Sequence, residues 1–215
     1  IISMFESIGV SGTHGKTTTT SMLAHIMMAG ETDPTILVGG MLDSIGGNLR
    51  IGKSQNFITE ACEYTNSFLS FFPTTAIVLN VGADHLDFFK DIDDIRNSFK
   101  KFVSLVPENG LVVINGDIEN VSYFTDGLKC KVVKVGTDIN SNDISAANIE
   151  TDEFARCSFD LMLKGRNLGR IELSVTGKHN VYNSLAAIAQ AIHMGIGTDA
   201  IKLGLKEYKG TERRF

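Results

Sequence analysis

A short apolar run, Ser7 to Val10, leads into Ser11-Gly12-Thr13-His14-Gly15, and Lys16 and Thr17 then open a segment of helical period that runs to Ala29 and stops at Gly30. No other feature constrains the fold as much, because a strand, a glycine-rich turn and a helix in that succession belong to a sheet with helices packed on its faces. The turn is also chemically particular. Glycines let backbone N–H groups crowd an anion, the helix start adds partial positive charge, a lysine ammonium reaches terminal phosphates, and a threonine hydroxyl can ligate magnesium. The strict form of such a loop needs glycine at position 10, where this chain has Val10, so a variant loop is expected. Glycine totals 21 of 215 residues, a surplus over the usual value of about 7% that suits tight turns and close backbone approaches.

The same alternation continues along the chain. Thr35 to Val38, Asn56 to Thr59, Ala76 to Val81, Leu111 to Ile114 and Lys131 to Val135 read as further strands. Between Asp91 and Val106, apolar Ile92, Ile95, Phe99, Phe102 and Val103 fall at helix spacing, with Asp91, Asp93 and Asp94 crowding the first turn. A helix is expected over Ile118 to Thr125, and a polar loop over Gly136 to Ala147. After that the period becomes two: Cys157 to Leu163 and Leu168 to Val175 alternate around a turn at Gly165-Arg166-Asn167, as an appended antiparallel hairpin would. Asn180 to Met194 and Asp199 to Tyr208 return to helix. The expectation is one α/β domain over residues 1–215, a mostly parallel sheet with flanking helices of the P-loop type plus that hairpin.

With 20 basic and 25 acidic residues the net charge is −5, so no global basic field serves nucleic acid or an anionic membrane. Any anion must be met locally. Cys62, Cys130 and Cys157 are odd in number and far apart, which excludes a disulfide framework or a paired-cysteine metal knuckle and makes the cytoplasm the expected compartment. No apolar stretch approaches the roughly 20 residues of a membrane span. Residue 1 is not Met and Glu212-Arg213-Arg214-Phe215 carries no helix stop, which suggests a piece cut from a longer chain.

Two further segments, Thr59-Glu60-Ala61-Cys62-Glu63 and Asn80-Val81-Gly82-Ala83-Asp84-His85-Leu86-Asp87, put acids or histidine where a parallel sheet gathers ligands, at the carboxyl ends of strands. Hard oxygens there suit magnesium, although Asp84 or Asp87 would equally serve as a helix cap. The order of these motifs, continued by Thr-Gly-Lys-His-Asn-Val-Tyr-Asn-Ser-Leu-Ala-Ala and Gly-Thr-Glu-Arg-Arg-Phe, resembles the ATP-dependent Mur ligases of peptidoglycan synthesis, from Gly9 to Phe215. The resemblance is to the family's central ATPase domain alone. It implies that the N-terminal UDP-sugar domain and the C-terminal amino-acid domain are absent from these residues.

The resemblance further implies ATP and Mg2+ as cofactors, with Gly12, Thr13, His14, Gly15, Lys16, Thr17 and Thr18 around the phosphates. Thr17 would ligate one magnesium, Glu60 and His85 a second, with Lys16, Glu60 and His85 at the phosphoryl transfer. Asn183 and His179 would meet the adenine side, and Arg214 would lie at the hinge. His14 points to the alanine-adding branch, hence to UDP-N-acetylmuramate and L-alanine as small-molecule partners; a tripeptide-recycling member shares that loop. Cys62 and Gly82 stand where that branch often has acids, so neither is given a metal role. Other branches carry a carbamylated lysine, and Lys100 or Lys101 lies in about the right region. A nucleotide-binding module without ligase coupling is the alternative of another class. It would not need Glu60, His85 and the Thr176 to Asn183 motif in this order.

Overall fold

β1 (Glu6–Ser11) runs through the middle of a ten-stranded sheet of order β10-β9-β8-β7-β6-β5-β1-β4-β2-β3. The structure, a computed structural model, describes residues 6–84 and 86–211. In chain order the other elements are α1 (Lys16–Ala29), β2 (Thr35–Leu42), β3 (Gly47–Arg50), β4 (Asn56–Glu60), β5 (Thr75–Val78), α2 (Ile92–Ser104), β6 (Leu111–Asn115), α3 (Ser122–Thr125) and β7 (Lys131–Gly136). They are followed by β8 (Ile144–Thr151), β9 (Arg156–Leu163), β10 (Arg166–Thr176), α4 (His179–His193) and α5 (Thr198–Glu207). From β2 through β4, β1, β5, β6 and β7 to β8 every neighbour pairs in parallel, while β3, β9 and β10 pair antiparallel at the two ends. A mostly parallel sheet with an appended hairpin is therefore what the chain builds.

Strands buried on both faces explain the continuous apolar runs. In β5 and β6, Ile77, Leu111 and Val113 face the layer of α1, α4 and α5, packing with Leu23, Ile26, Leu185 and Ile188. Their neighbours Ala76, Val78, Val112 and Ile114 face the opposite layer, built on Phe68, Phe99, Phe102 and Val103. Each Val, Leu, Ile or Phe among them contributes about 1.5–3 kcal/mol on burial, so the period-two sorting fixes the register of the sheet between its helices. α2 is capped by Asp91, whose carboxylate accepts from Asp94 N at 2.9 Å, and its apolar stripe buries Ile95, Phe99, Phe102 and Val103. Ile92, in the first turn, stays 39% exposed.

Several expected boundaries moved for local reasons. β5 stops at Val78 rather than Val81: Leu79 N still donates to Ser11 O at 3.0 Å, and Asn80 then turns onto the loop after β1. The helix expected from Ile118 shrinks to α3, because Asn120 takes a φ of 53° and breaks the run. Within the expected loop Gly136 to Ala147, β8 begins at Ile144, paired to Val135 on one side and Leu163 on the other. The hairpin turns through Lys164 and Gly165, at φ of 48° and 79°, the left-handed pair a two-residue turn requires, and Arg166 and Asn167 already belong to β10. Among the described residues no helix is long and apolar enough to cross a membrane.

Candidate functional site: the phosphate loop and its cradle

The loop between β1 and α1 is shorter than the strict motif because β1 continues through Val10, fully buried and paired with Glu60 and Ile77, to Ser11. The turn proper begins at Gly12, at φ 142°, and ends at Gly15, at φ 90°, both in the region that only glycine enters readily. A Cβ at Gly15 would come within 2.5 Å of Asn183 Oδ1, so α4 presses directly on the loop. α1 starts with no side-chain cap and no acid in its first turn. Its leading N–H groups therefore present the partial positive charge of a helix start to whatever occupies the loop.

The loop is held by the segment that leaves β5. Asn80 makes a reciprocal pair with His14: its Oδ1 accepts from His14 N and its Nδ2 donates to His14 O, each at 2.9 Å. Thr13 N donates to Asn80 O at 3.3 Å, and Gly82 N donates to Thr13 Oγ1 at 2.8 Å. Sequence reading places Asn80 in a strand-end motif without this role. Nothing in a one-dimensional pattern shows that its amide is spent on a peptide unit 66 residues away.

Lys16 is folded onto this cradle. Its ammonium donates to Gly12 O at 2.6 Å and stands 3.0 and 3.2 Å from the two oxygens of Glu63. Of the two acids that end the β4 segment, the sequence reading singled out Glu60, whereas Glu63 is the one that meets Lys16. Glu60 is two residues beyond Ile58, which packs in the α1 layer, so by strand alternation it leaves from the face that carries Lys16. Its Oε1 accepts from the Gly39 amide of β2, and a Cβ at Gly39 would stand 2.6 Å from that oxygen. The glycines inside β2 are the signal for this close approach.

Thr17 lies in the first turn of α1 beside Lys16, partly buried, as does Thr18. A hydroxyl and a carboxylate, Thr17 and Glu60, thus stand at the same edge of the sheet. Only one oxygen of Glu60 is engaged among the described residues. Hard oxygens of this kind, few in number, fit magnesium, which keeps waters and takes further oxygens from phosphates. Among the described residues no group of three or more His, Cys, Asp or Glu side chains forms a closed metal cage.

His179 and Asn183 sit one turn apart on α4. Asn183 is buried at the loop, its Nδ2 donating to Asn180 Oδ1 at 2.9 Å, while His179 is exposed and its ring folds back over Gly177, where a Cβ would meet it at 2.5 Å. His85 and Arg214 lie outside the described residues. Cys62 is exposed, and Lys100 rides over the Tyr123 ring at 4.3 Å, a cation–π contact between α2 and α3. Asp87 accepts from Tyr64 at 3.0 Å, and the cap of α2 is Asp91.

With this geometry in hand, similarity to known proteins is extensive. Residues 10–191 match the Mur ligase middle domain. The chain is 54% identical over 210 residues to UDP-N-acetylmuramate--L-alanine ligase of Lachnospira eligens, covering 98% of this chain and 46% of that protein. It is 51% identical over 209 residues to the ligase of the same name from Clostridium acetobutylicum, covering 97% of this chain and 45% of that one. Among solved structures, UDP-N-acetylmuramate:L-alanyl-gamma-D-glutamyl-meso-diaminopimelate ligase from Neisseria meningitides superposes with a TM-score of 0.87 at 32% identity, over 99% of this chain and 69% of that one. UDP-N-acetylmuramate-alanine ligase from Thermotoga maritima gives 0.83 at 30%, over 98% and 46%. The chain thus spans about half the length of the curated relatives it matches.

Proposed function

The chain belongs to the Mur ligase family, and from that premise we propose that it is the ATP-binding middle domain of a ligase that joins L-alanine to UDP-N-acetylmuramate. The observation that carries the reading is the loop from Gly12 to Lys16 in its cradle, an uncapped helix start with a lysine poised over it and Asn183 closing its flank. Identity of 54% to an L-alanine ligase favours alanine over the tripeptide substrate of the Neisseria relative, at 32%. The sugar nucleotide and the amino acid would be held by the portions of such relatives that these residues do not span.

On this reading ATP phosphorylates the lactyl carboxylate of UDP-N-acetylmuramate. The amine of L-alanine then attacks the acyl carbon, phosphate leaves, and an amide remains. No protein nucleophile takes part. Lys16 and the loop N–H groups gather the negative charge of the transferring phosphoryl group and hold it in line, which is where most of the acceleration in such transfers arises. Magnesium, held by Thr17, Glu60 and His85, would supply further neutralisation of the same charge. Asn183 and His179 would position the adenine end, and Arg214 would follow the chain toward the neighbouring domain. The partners are small molecules and the compartment is the cytoplasm.

The test has two arms. A purified ligase containing these 215 residues is expected to release phosphate from Mg-ATP and form the alanyl product only when UDP-N-acetylmuramate and L-alanine are both present. The 215-residue chain alone is expected to release phosphate no faster than its Lys16→Ala variant. A larger protein indifferent to L-alanine would contradict the substrate assignment, and product formed by the 215 residues alone would contradict the domain assignment.

A further inference from the structure

Glu63 is the group at the loop that this mechanism leaves unused. Its carboxylate lies with both oxygens on the Lys16 ammonium, and its side chain is 3% exposed against 15% for Lys16. An ammonium has three protons to donate. Gly12 O and the two Glu63 oxygens are three acceptors within 2.6 to 3.2 Å of Lys16 Nζ. In this conformation the lysine that would hold a phosphate is already saturated by an anion belonging to the chain.

Glu63 is fixed there from both sides. Ala61 N donates to Val10 O at 2.8 Å, extending the pairing of β4 with β1, and Cys62 O then accepts from Phe68 N at 3.0 Å and Ser67 Oγ at 2.9 Å. Thr65 and Asn66 follow at φ of 55° and 58°, an unfavourable conformation for a β-branched residue, held by a turn anchored on buried Phe68. The main chain that carries Glu63 is therefore fixed, and its carboxylate, 3% exposed, is a buried group and not a solvated surface one. A phosphate taking Lys16 must settle beside a buried negative charge, where like charges repel far more than they do in water.

We propose that Glu63 competes with the terminal phosphate of the nucleotide for Lys16, so that the loop engages that phosphate well only when a divalent cation accompanies it and offsets the second negative charge. Glu63 is then a specificity-determining residue that makes the site choose metal-bound over metal-free nucleotide. The proposal rests on the reading of the loop as an ATP site and adds to it the origin of the cation requirement. A merely structural ion pair would alter stability when broken and leave the ratio of metal-bound to metal-free affinity where it was.

The experiment is calorimetric titration of ADP into the 215-residue chain, once with excess chelator and once with magnesium, for wild type, Glu63→Gln and the double variant Lys16→Gln/Glu63→Gln, with thermal melts as the folding control. Glu63→Gln is expected to bind metal-free ADP roughly tenfold tighter than wild type and to change Mg-ADP affinity by less than about threefold. The gain is expected to vanish in the double variant, where no lysine remains to be released. Should Glu63→Gln not fold, Glu63→Asp, which keeps the charge but draws it back by one methylene, is expected to move the metal-free affinity in the same direction by about threefold. Metal-free affinity unchanged or weakened by the substitution overturns the proposal. So does a loss confined to Mg-ADP, which would put Glu63 on the cation instead. A wild-type chain that binds neither form of the nucleotide would overturn the ATP reading, and this proposal with it, whereas a wild-type chain that binds Mg-ADP but whose metal-free affinity is insensitive to Glu63 overturns the proposal alone.

Discussion

Asn80 holds the phosphate loop as a neighbouring strand would hold a peptide, with its amide giving and taking one hydrogen bond from His14 at 2.9 Å each. Asn80→Ala removes both. At about 0.5–1.5 kcal/mol per bond it is expected to loosen the loop and weaken Mg-ADP binding by roughly tenfold, with little change in the far-UV spectrum. Affinity equal to wild type would show that the loop keeps its shape without the clamp. A second residue-scale effect is set by two histidines. His25, whose Nε2 meets Ser44 Oγ at 3.0 Å and whose ring lies edge-on to Tyr208, is pushed below its ordinary value by burial, against a smaller upward pull from Glu207. His193 is likewise lowered by burial, then by Lys131, with Glu6 opposing. Both stay neutral in the fold at pH values where the unfolded chain takes up protons, so stability is full above about 6.5 and declines as pH falls through and below that value. Melting temperatures measured from pH 8 to 5 should fall in the acid range, and His25→Gln should flatten part of the slope; a flat profile in wild type would contradict the burial of these rings as neutral groups.

At the scale of elements, the close packing of α5 on α1 depends on Gly204, where a Cβ would stand 2.5 Å from Ile26 Cα and 2.6 Å from Ile26 N, both backbone atoms. Gly204→Ala should push the two helices apart and cost about 1–3 kcal/mol, a fall of several degrees in Tm for a domain of this size. An unchanged Tm would mean that α5 shifts freely. The elements themselves were legible to different degrees. α1 spans Lys16–Ala29 as its sequence demands, because a glycine turn begins it and Gly30 ends it. β8 was hidden: Ile144-Ser145-Ala146-Ala147-Asn148 has small and polar side chains, and it becomes a strand because β7 and β9 pair with it on both sides. β3 was hidden likewise, since Gly47-Asn48-Leu49-Arg50 buries no side chain and is held by its ladder to β2. Periodicity reports burial, and an edge strand with little to bury leaves no trace of its own.

For the molecule as a whole, parallel topology sets the carboxyl ends of β1, β4 and β5 side by side, with Lys16 and Thr17 at the start of α1, Asn183 against Gly15 and Glu60 at the end of β4 against Gly39. What sequence could not reveal is which acid faces the lysine. Glu60 and Glu63 are three residues apart, and the turn after β4 alone decides that Glu63 reaches Lys16 while Glu60 reaches Gly39. Nucleotide binding at this loop is expected to depend on Lys16 above any other side chain. Calorimetric titration of Mg-ATP into wild type and Lys16→Ala, with far-UV spectra confirming that both are folded, should show saturable one-site binding in the first. In the second the affinity should be lower by about tenfold to a hundredfold, the measure of a charge-assisted hydrogen bond to phosphate and of a Glu63 carboxylate left beside it. Equal affinity in the two would contradict the assignment of this loop as the nucleotide site.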